Sequence, residues 1–196
     1  IYQMKTFEKK WTSLMKKLNL NLFKFFILLF FTLCNSAHSE VKFVSSNIEK
    51  VIITDGDSIK IGKEKIRLFG IDAPEIKQVC NHNRQTPSGV VKKIPYACGE
   101  ASKSYLKEIL NAPDYEIKIF CYYSKVDKYE RLLAECFLGE TSSININFEM
   151  VMRGHAVAYL RYSDKYLKAQ EFAKKHELGI WKGDFEMPEE WRKKNK

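Results

Sequence analysis

The chain has 196 residues, 45% hydrophobic and 13% aromatic, with 33 Lys and Arg against 24 Asp and Glu, a formal net charge of +9. That length holds one domain, or one domain and a tail, and 9 Gly with 5 Pro is too little for a collagen-like, low-complexity or wholly disordered chain. The charge points to an anionic partner, nucleic acid or a membrane surface, but speaks of association and not of fold.

Residues 1–39 differ from the rest. Lys16, Lys17 and Lys24 precede the apolar run from Phe25 to Leu33, and Cys34, Asn35, Ser36, Ala37, His38 and Ser39 follow. A basic flank, an apolar core and a small-residue exit are the parts of a secretory signal, and the run is short of the roughly 20 apolar residues that a spanning helix needs. The expectation is a secreted or periplasmic protein cleaved after Ala37 or Ser39. Met15 before Lys16-Lys17 would begin a signal of ordinary length, without residues 1–14. An uncleaved membrane anchor is the rival reading, and bulky Leu33 argues against lipid attachment at Cys34. This segment holds six Lys and one Glu, so residues 40–196 keep 27 basic against 23 acidic residues. More than half of the net charge therefore reports targeting.

From Val41 to residue 185 the pattern is one folded unit. Val51–Thr54 reads as a short strand ended by the turn Asp55-Gly56-Asp57; Ser58–Ile61 and Lys65–Ile71 alternate apolar and polar residues around Gly62-Lys63-Glu64. A three-stranded meander follows from that period, stopped by Asp72-Ala73-Pro74-Glu75 because Pro74 has no N–H for a ladder. Ala101, Tyr105, Leu106, Ile109 and Leu110 fall at helical spacing. Glu116–Cys121 and Leu132–Leu138 read as two more strands, and an antiparallel pairing around Asp127–Glu130 lets Cys121 face Cys136. Cys80 then pairs with Cys98. A zinc site from Cys80, His82 and Cys98 is the alternative, but it lacks the paired CxxC spacing, and an exported chain favours disulfides.

Ile144, Phe148, Val151 and Met152 mark a second helix ending at Gly154, and Tyr166–His176 a third, with Asp164 as its N-cap and Gly179 beyond its end. Residues 186–196, with Arg192, Lys193, Lys194 and Lys196, read as a basic tail that holds a polyanion loosely. The fold class is α+β, mainly β: a five-stranded barrel of the OB type with three helices.

The chemistry gathers where the meander ends. Asp57 and Asp72 form a hard anionic oxygen pair suited to Ca²⁺ or Mg²⁺, Glu75 is free to act as a base, and Arg67 is a planar cation suited to phosphate. Metal, base and arginine are the components of phosphodiester hydrolysis by activated water. Arg131 is a second arginine, on the turn between the cysteine-bearing strands. Each has a structural alternative: Asp57 as a turn stabiliser, Arg67 and Arg131 as ion-pair partners, and Tyr129, Tyr159 and Tyr162 as packing residues. Trp181 reads as core, and no histidine near the constellation suggests a histidine-metal nuclease.

In order along the chain, Asp55-Gly56-Asp57-Ser58, Arg67-Leu68-Phe69-Gly70-Ile71-Asp72-Ala73-Pro74-Glu75, Gly99-Glu100-Ala101, Asp127-Lys128-Tyr129-Glu130-Arg131 and Gly179-Ile180-Trp181 resemble the thermonuclease, or staphylococcal nuclease-like, family over about Val51–Trp181. The resemblance implies Ca²⁺ on the carboxylates of Asp57 and Asp72 and the carbonyl of Ala73, with Glu75 as general base. It makes Arg67 and Arg131 the phosphate ligands, and Lys128, Tyr129, Tyr159 and Tyr162 contacts to the nucleic acid. Such an endonuclease cuts single-stranded or locally opened DNA and RNA, leaving 3′-phosphates, as a monomer with no stable protein partner. A non-cutting single-strand-binding module or a membrane-tethered nuclease would be the other outcomes. Three departures stand out. Glu130 replaces the usual glycine and strains the turn if positive φ is needed there. The Tyr159–Tyr162 spacing differs by one residue from the family's tyrosine pair. The segment Ile76–Tyr96 is longer than its counterpart and is expected either as a substrate-facing flap held by Cys80–Cys98 or as a solvated loop.

Overall fold

The computed structural model describes residues 40–111, 118–139 and 144–195. The export signal expected over residues 1–39, with Cys34, lies outside them, as do Glu116 and Ile117 of the fourth expected strand. The chain divides after Glu40, and the second unit, Val41–Lys196, carries all the described elements.

The elements run β1 (Lys42–Asn47), a 3-10 turn at Ile48–Lys50, β2 (Val51–Asp55), β3 (Ser58–Ile61), β4 (Glu64–Leu68), β5 (Ile71–Asp72), β6 (Val79–Gln85) and β7 (Val91–Ala97). Then come α1 (Cys98–Leu110), β8 (Lys118–Val126), β9 (Leu132–Leu138), β10 (Ile144–Asn145), α2 (Ile146–Met152), β11 (Val157–Ala158), α3 (Leu167–Lys175), a 3-10 turn at Gly179–Lys182, and α4 (Pro188–Lys194).

The main sheet has the order β1-β8-β9-β4-β3-β2, with β10 on β9. The β4–β9 pair is parallel and its neighbours are antiparallel. Its two outer strands, β1 and β2, are joined only through Ile48–Lys50. Six strands laid flat would hold those edges about 24 Å apart, and the four steps from Asn47 to Val51 reach about 14 Å at most. The sheet must curl on itself. The five strands expected of the barrel are present as β2, β3, β4, β8 and β9, but no ladder among the described residues joins β1 to β2, so chain connectivity and not a hydrogen-bonded seam draws the edges together. The long third strand of the sequence reading divides into β4 and β5 at Gly70, which takes a positive φ of 77°.

Burial alternates strictly along β9, as a one-faced strand requires. Its inward residues meet Ile66 and Leu68 of β4, Ile119 of β8, Leu106 of α1 and Met150 of α2 in the main core. Buried Asn147 ties these layers together: its amide donates to the carbonyls of Phe69 (3.0 Å) and Ala134 (3.1 Å) and its oxygen accepts from Cys136 N–H at 3.0 Å. Cys121 and Cys136 are register partners and are disulfide-bonded, as are Cys80 and Cys98, which removes the zinc alternative.

Three expectations change. The described residues hold four α-helices, because residues 186–195 of the expected 186–196 tail are not loose: Pro188 opens α4, Glu189 and Glu190 fill its first turn and Arg192, Lys193 and Lys194 its last, matching the helix dipole. Asp164 does not cap α3 with its side chain; the cap position is Tyr166, and Asp164 offers its carbonyl to Leu167 N–H at 2.9 Å. The Ile76–Tyr96 segment is the β6–β7 hairpin, whose base packs on the C-terminal stretch, Asn81 N–H donating to the Asp184 carbonyl at 2.8 Å. With Cys80, Cys98, Val157, Ile180, Tyr96, Trp181 and Phe185 it builds a second, smaller core, so Trp181 is the packing residue expected of it. No helix among the described residues is long and apolar enough to cross a membrane.

His155 follows Gly154 and stacks on Tyr105 of α1 with ring centroids 4.1 Å apart. Burial, and then the charge of Lys182, lowers its pKa to about 4. The unfolded imidazole takes its proton near 6.5, so the unfolded state binds the extra proton first as pH falls. Stability from this residue is complete above about pH 6.5 and is lost down to about pH 4, a difference on the order of 2–3 kcal/mol. Urea unfolding at pH 7 and pH 4.5 should show His155→Phe losing less stability on acidification than the parent by about that amount; equal losses would remove His155 as the cause.

Candidate active site

The β3–β4 register pairs Ser58 with Arg67, and Leu68 N–H donates to the Asp57 carbonyl at 2.8 Å. The turn carrying Asp57 is thereby laid beside Arg67. The guanidinium donates through Nη1 to Asp57 Oδ1 and through Nη2 to Asp72 Oδ1, both at 2.7 Å. Asp57 is further held by Ser58 Oγ at 2.8 Å and by Ala73 N–H, on Oδ2, at 3.0 Å. Burial works against the Arg67 charge, and the Asp57 and Asp72 carboxylates outweigh it, holding the guanidinium more firmly protonated than usual. Burial also pushes the Asp72 carboxyl up, against the pull of Arg192 and Arg67.

Glu75 leaves the strand at the foot of α1. A Cβ on Gly99 would lie 1.8 Å from the Glu75 carbonyl oxygen, so only glycine lets the helix sit against that backbone. Fully buried Gln78 holds the same peptide: its N–H donates to the Glu75 carbonyl at 2.7 Å and its Oε1 accepts from Glu75 N–H at 3.3 Å.

Asp127 organises the opposite wall. It accepts from the N–H groups of Tyr129 (2.8 Å) and Arg131 (3.0 Å) through Oδ1 and from Arg131 Nε (2.8 Å) through Oδ2. Burial alone would raise its pKa, but the Arg131 N–H and guanidinium and the Tyr129 N–H pull it below the usual carboxylate range. Lys128 Nζ and the Arg131 guanidinium both lie over the Tyr129 ring, 4.9 and 5.4 Å from its centroid. The short β5–β11 ladder and the bond from Tyr159 N–H to the Gly70 carbonyl, 2.9 Å, place the third wall. There the rings of Tyr159 and Tyr162 meet edge to face at 4.9 Å, across a turn in which Tyr162 N–H donates to the Tyr159 carbonyl at 2.9 Å.

These walls enclose a cleft of about 590 Å³. Asp57, Arg67, Glu75, Arg131, Lys128 and the tyrosines Tyr129, Tyr159 and Tyr162 line it, whereas Asp72 and Ala73 lie behind Arg67 and do not. No residue of the β6–β7 hairpin lines it, so the expected flap is not part of this wall. Three charged lining residues had no site role assigned from the sequence: Asp127, described above, Asp55 and Arg192. Asp55, in the Asp55-Gly56-Asp57 turn, has its pKa raised to about 7 by burial and then by the charge on Asp57. Arg192, on α4, donates to Asp72 Oδ1 and Oδ2 at 2.9 Å each and to Glu75 Oε1 at 2.8 Å. Its helix was signalled by Pro188-Glu189-Glu190 ahead of Arg192-Lys193-Lys194.

The donor set has the chemistry for a hard divalent cation. Carboxylates of Asp55, Asp57, Asp72 and Glu75 outnumber the guanidiniums of Arg67 and Arg192, and burial first, then the neighbouring charges of Asp57 and Glu75, disfavour ionisation of Asp55. As arranged, no three such side chains among the described residues meet at one point. The oxygens of Asp57 and Asp72 are turned onto Arg67 and Arg192, and Ala73 enters through its N–H.

Residues 65–183 match the family model described as staphylococcal nuclease homologue. The chain is 32% identical over 138 residues to a succinoglycan biosynthesis protein, ExoI, of Rhizobium meliloti, covering 69% of this chain and 64% of that one, just under two thirds of the relative's length. It is 32% identical over 178 residues to an uncharacterized endonuclease of Haemophilus influenzae, covering 87% and 84%. It is 29% identical over 164 residues to a micrococcal nuclease of Shigella flexneri, covering 76% and 81%.

Glu130 has φ of +60°, the left-handed region that costs a side chain about 1–2 kcal/mol. Its substitution by glycine relieves that strain, offset in part by greater freedom of the unfolded chain. Glu130→Gly should raise the unfolding free energy by about 0.5–1 kcal/mol, seen as a higher denaturant midpoint at unchanged slope. A lower midpoint would show that the turn is unstrained.

Proposed function

Because the chain belongs to the staphylococcal nuclease homologue family, we propose that it is an exported nuclease that hydrolyses phosphodiester bonds in DNA and RNA, single-stranded or locally opened. The observation that supports this most is the convergence of Arg67, Glu75 and Arg131 on one tyrosine-lined cleft, although they come from three separate parts of the chain. Two disulfides among the described residues support the oxidising compartment that export would provide.

Arg67 has five N–H donors, and its carboxylate bonds use two. The remaining donors, with Arg131 across the cleft, bind the phosphate and stabilise the charge that builds up on its oxygens in the transition state. Glu75 takes the proton of the attacking water, the water oxygen bonds to phosphorus, and the bond to the 5′ oxygen breaks; that oxygen takes up a proton from solvent to become the 5′-hydroxyl, leaving a 3′-phosphate. Tyr129, Tyr159 and Tyr162 offer faces for unpaired bases, and Lys128 adds charge at the rim. Asp57 and Asp72, with the Ala73 carbonyl, would hold Ca²⁺, which when bound supplies positive charge to the phosphate oxygens and acidity to water.

Purified protein should degrade single-stranded DNA and RNA with calcium and stop when a chelator is added. Glu75→Gln should lower kcat by about 10²–10⁴-fold with little change in KM, as loss of a general base does. No cleavage with any divalent metal would overturn the nuclease reading, and undiminished cleavage by Glu75→Gln would overturn the base assignment alone.

A further inference from the structure

We propose that Arg192 is a positioning residue of this active site: brought in by α4, it fixes the Glu75 carboxylate by one oxygen and leaves the other to the attacking water. The inference rests on the nuclease reading and adds a residue that lies beyond the matched family segment, which ends at residue 183.

The guanidinium is held as a fork on a buried anchor. Nη1 and Nη2 take the two oxygens of Asp72, whose side chain is 1% exposed, and Nη1 reaches Glu75 Oε1, whose side chain is 28% exposed. Asp72 sets where the fork sits, and the fork sets where the more exposed Glu75 carboxylate sits. Without it, two like charges would face each other with nothing between them, and Glu75 would be free to turn away.

The geometry leaves the needed oxygens available. A carboxylate offers about four lone-pair sites. Asp72 uses three, on Arg67 Nη2 and the two Arg192 nitrogens, and Glu75 uses only Oε1 here. Arg192 therefore orders the base without occupying the oxygen that would take a proton.

The helix that carries Arg192 is itself tied to the Glu75 backbone. Gln78, which bonds both N–H and carbonyl of Glu75, donates through Nε2 to the Glu186 carbonyl at 2.6 Å, just ahead of α4. Arg161 and Glu189 pair at 2.8 Å, Lys194 pairs with Glu186, and Pro188 is buried. Backbone and side chain of Glu75 are thus both referred to the same short helix. Arg192 gives three of its five N–H donors to carboxylates, against two for Arg67, and one of the three goes to Glu75, which Arg67 does not touch.

The test compares Arg192→Ala and Arg192→Lys with Lys193→Ala on the same helix, whose ammonium pairs with Glu189 and Glu190, using full-length protein, calcium and a single-stranded oligonucleotide. Arg192→Ala should lower kcat by roughly 100-fold, the scale of a misplaced catalytic group, with KM within about threefold. A single ammonium cannot bridge Asp72 and Glu75 as a fork does, so Arg192→Lys should remain at least about tenfold down, and Lys193→Ala within about twofold. Guanidinium ion added at millimolar concentration should restore part of the Arg192→Ala rate and none of the Glu75→Gln rate, a response that a purely structural role would not give. The proposal is overturned if kcat of Arg192→Ala stays within about threefold of the parent, if the loss lies in KM, or if Lys193→Ala loses as much. Should the alanine variant fail to fold, the lysine variant decides by the same criteria. A parent chain that cuts nothing overturns the nuclease reading itself and is recognised before any variant is compared.

Discussion

Arg67 sits between Asp57 and Asp72, and most of what positions the site can be read as a condition for that arrangement. A guanidinium whose side chain is 15% exposed must be paired closely, or its desolvation opposes folding. The pairing brings three backbone segments together: the turn after β2, the middle of β4, and β5 beyond the bend at Gly70. Asn147 fixes that bend by bonding the Phe69 carbonyl and β9 at once. Removal of any one charge leaves the others buried without balance, which is why the site and the fold are specified together.

Local periodicity and turn chemistry made much of this legible. Alternation identified β3 and β4, and the antiparallel expectation for the cysteine strands agrees with Cys121 and Cys136 as register partners. Glu130 could be suspected from the glycine it replaces, and its φ is positive. Each of those inferences draws on neighbours in the chain or across one turn. Arg192 meets Asp72 across 120 residues, and no local pattern encodes such a contact. The helix that delivers it was signalled by Pro188 and the acidic first turn, but counting Arg192, Lys193 and Lys194 as surface charge concealed it. The β6–β7 hairpin was misplaced for a related reason: its sequence begins at Glu75, but its base packs on the C-terminal segment and not on the cleft.

The distribution of charge separates holding a polyanion from cutting it. Asp55, Asp57, Glu75 and Asp127 line the cleft against Arg67, Lys128, Arg131 and Arg192, so its wall is balanced. Each arginine there already has a carboxylate, and an incoming phosphate must compete with that carboxylate for donors. A cation bound to the carboxylates would tip the competition toward phosphate, because it would take over part of the negative charge that the guanidiniums neutralise. The Ile76–Tyr96 segment, by contrast, exposes Lys77, Arg84 and Lys92 and contains no acidic residue, and its Lys93 reaches outside it, to Asp184, for a carboxylate. Unpaired positive charge attracts a polyanion at long range, whereas charge locked in ion pairs acts at contact distance and in fixed directions. The cleft has the second kind, the kind that transition-state stabilisation requires, and a net charge summed over the sequence cannot distinguish the two.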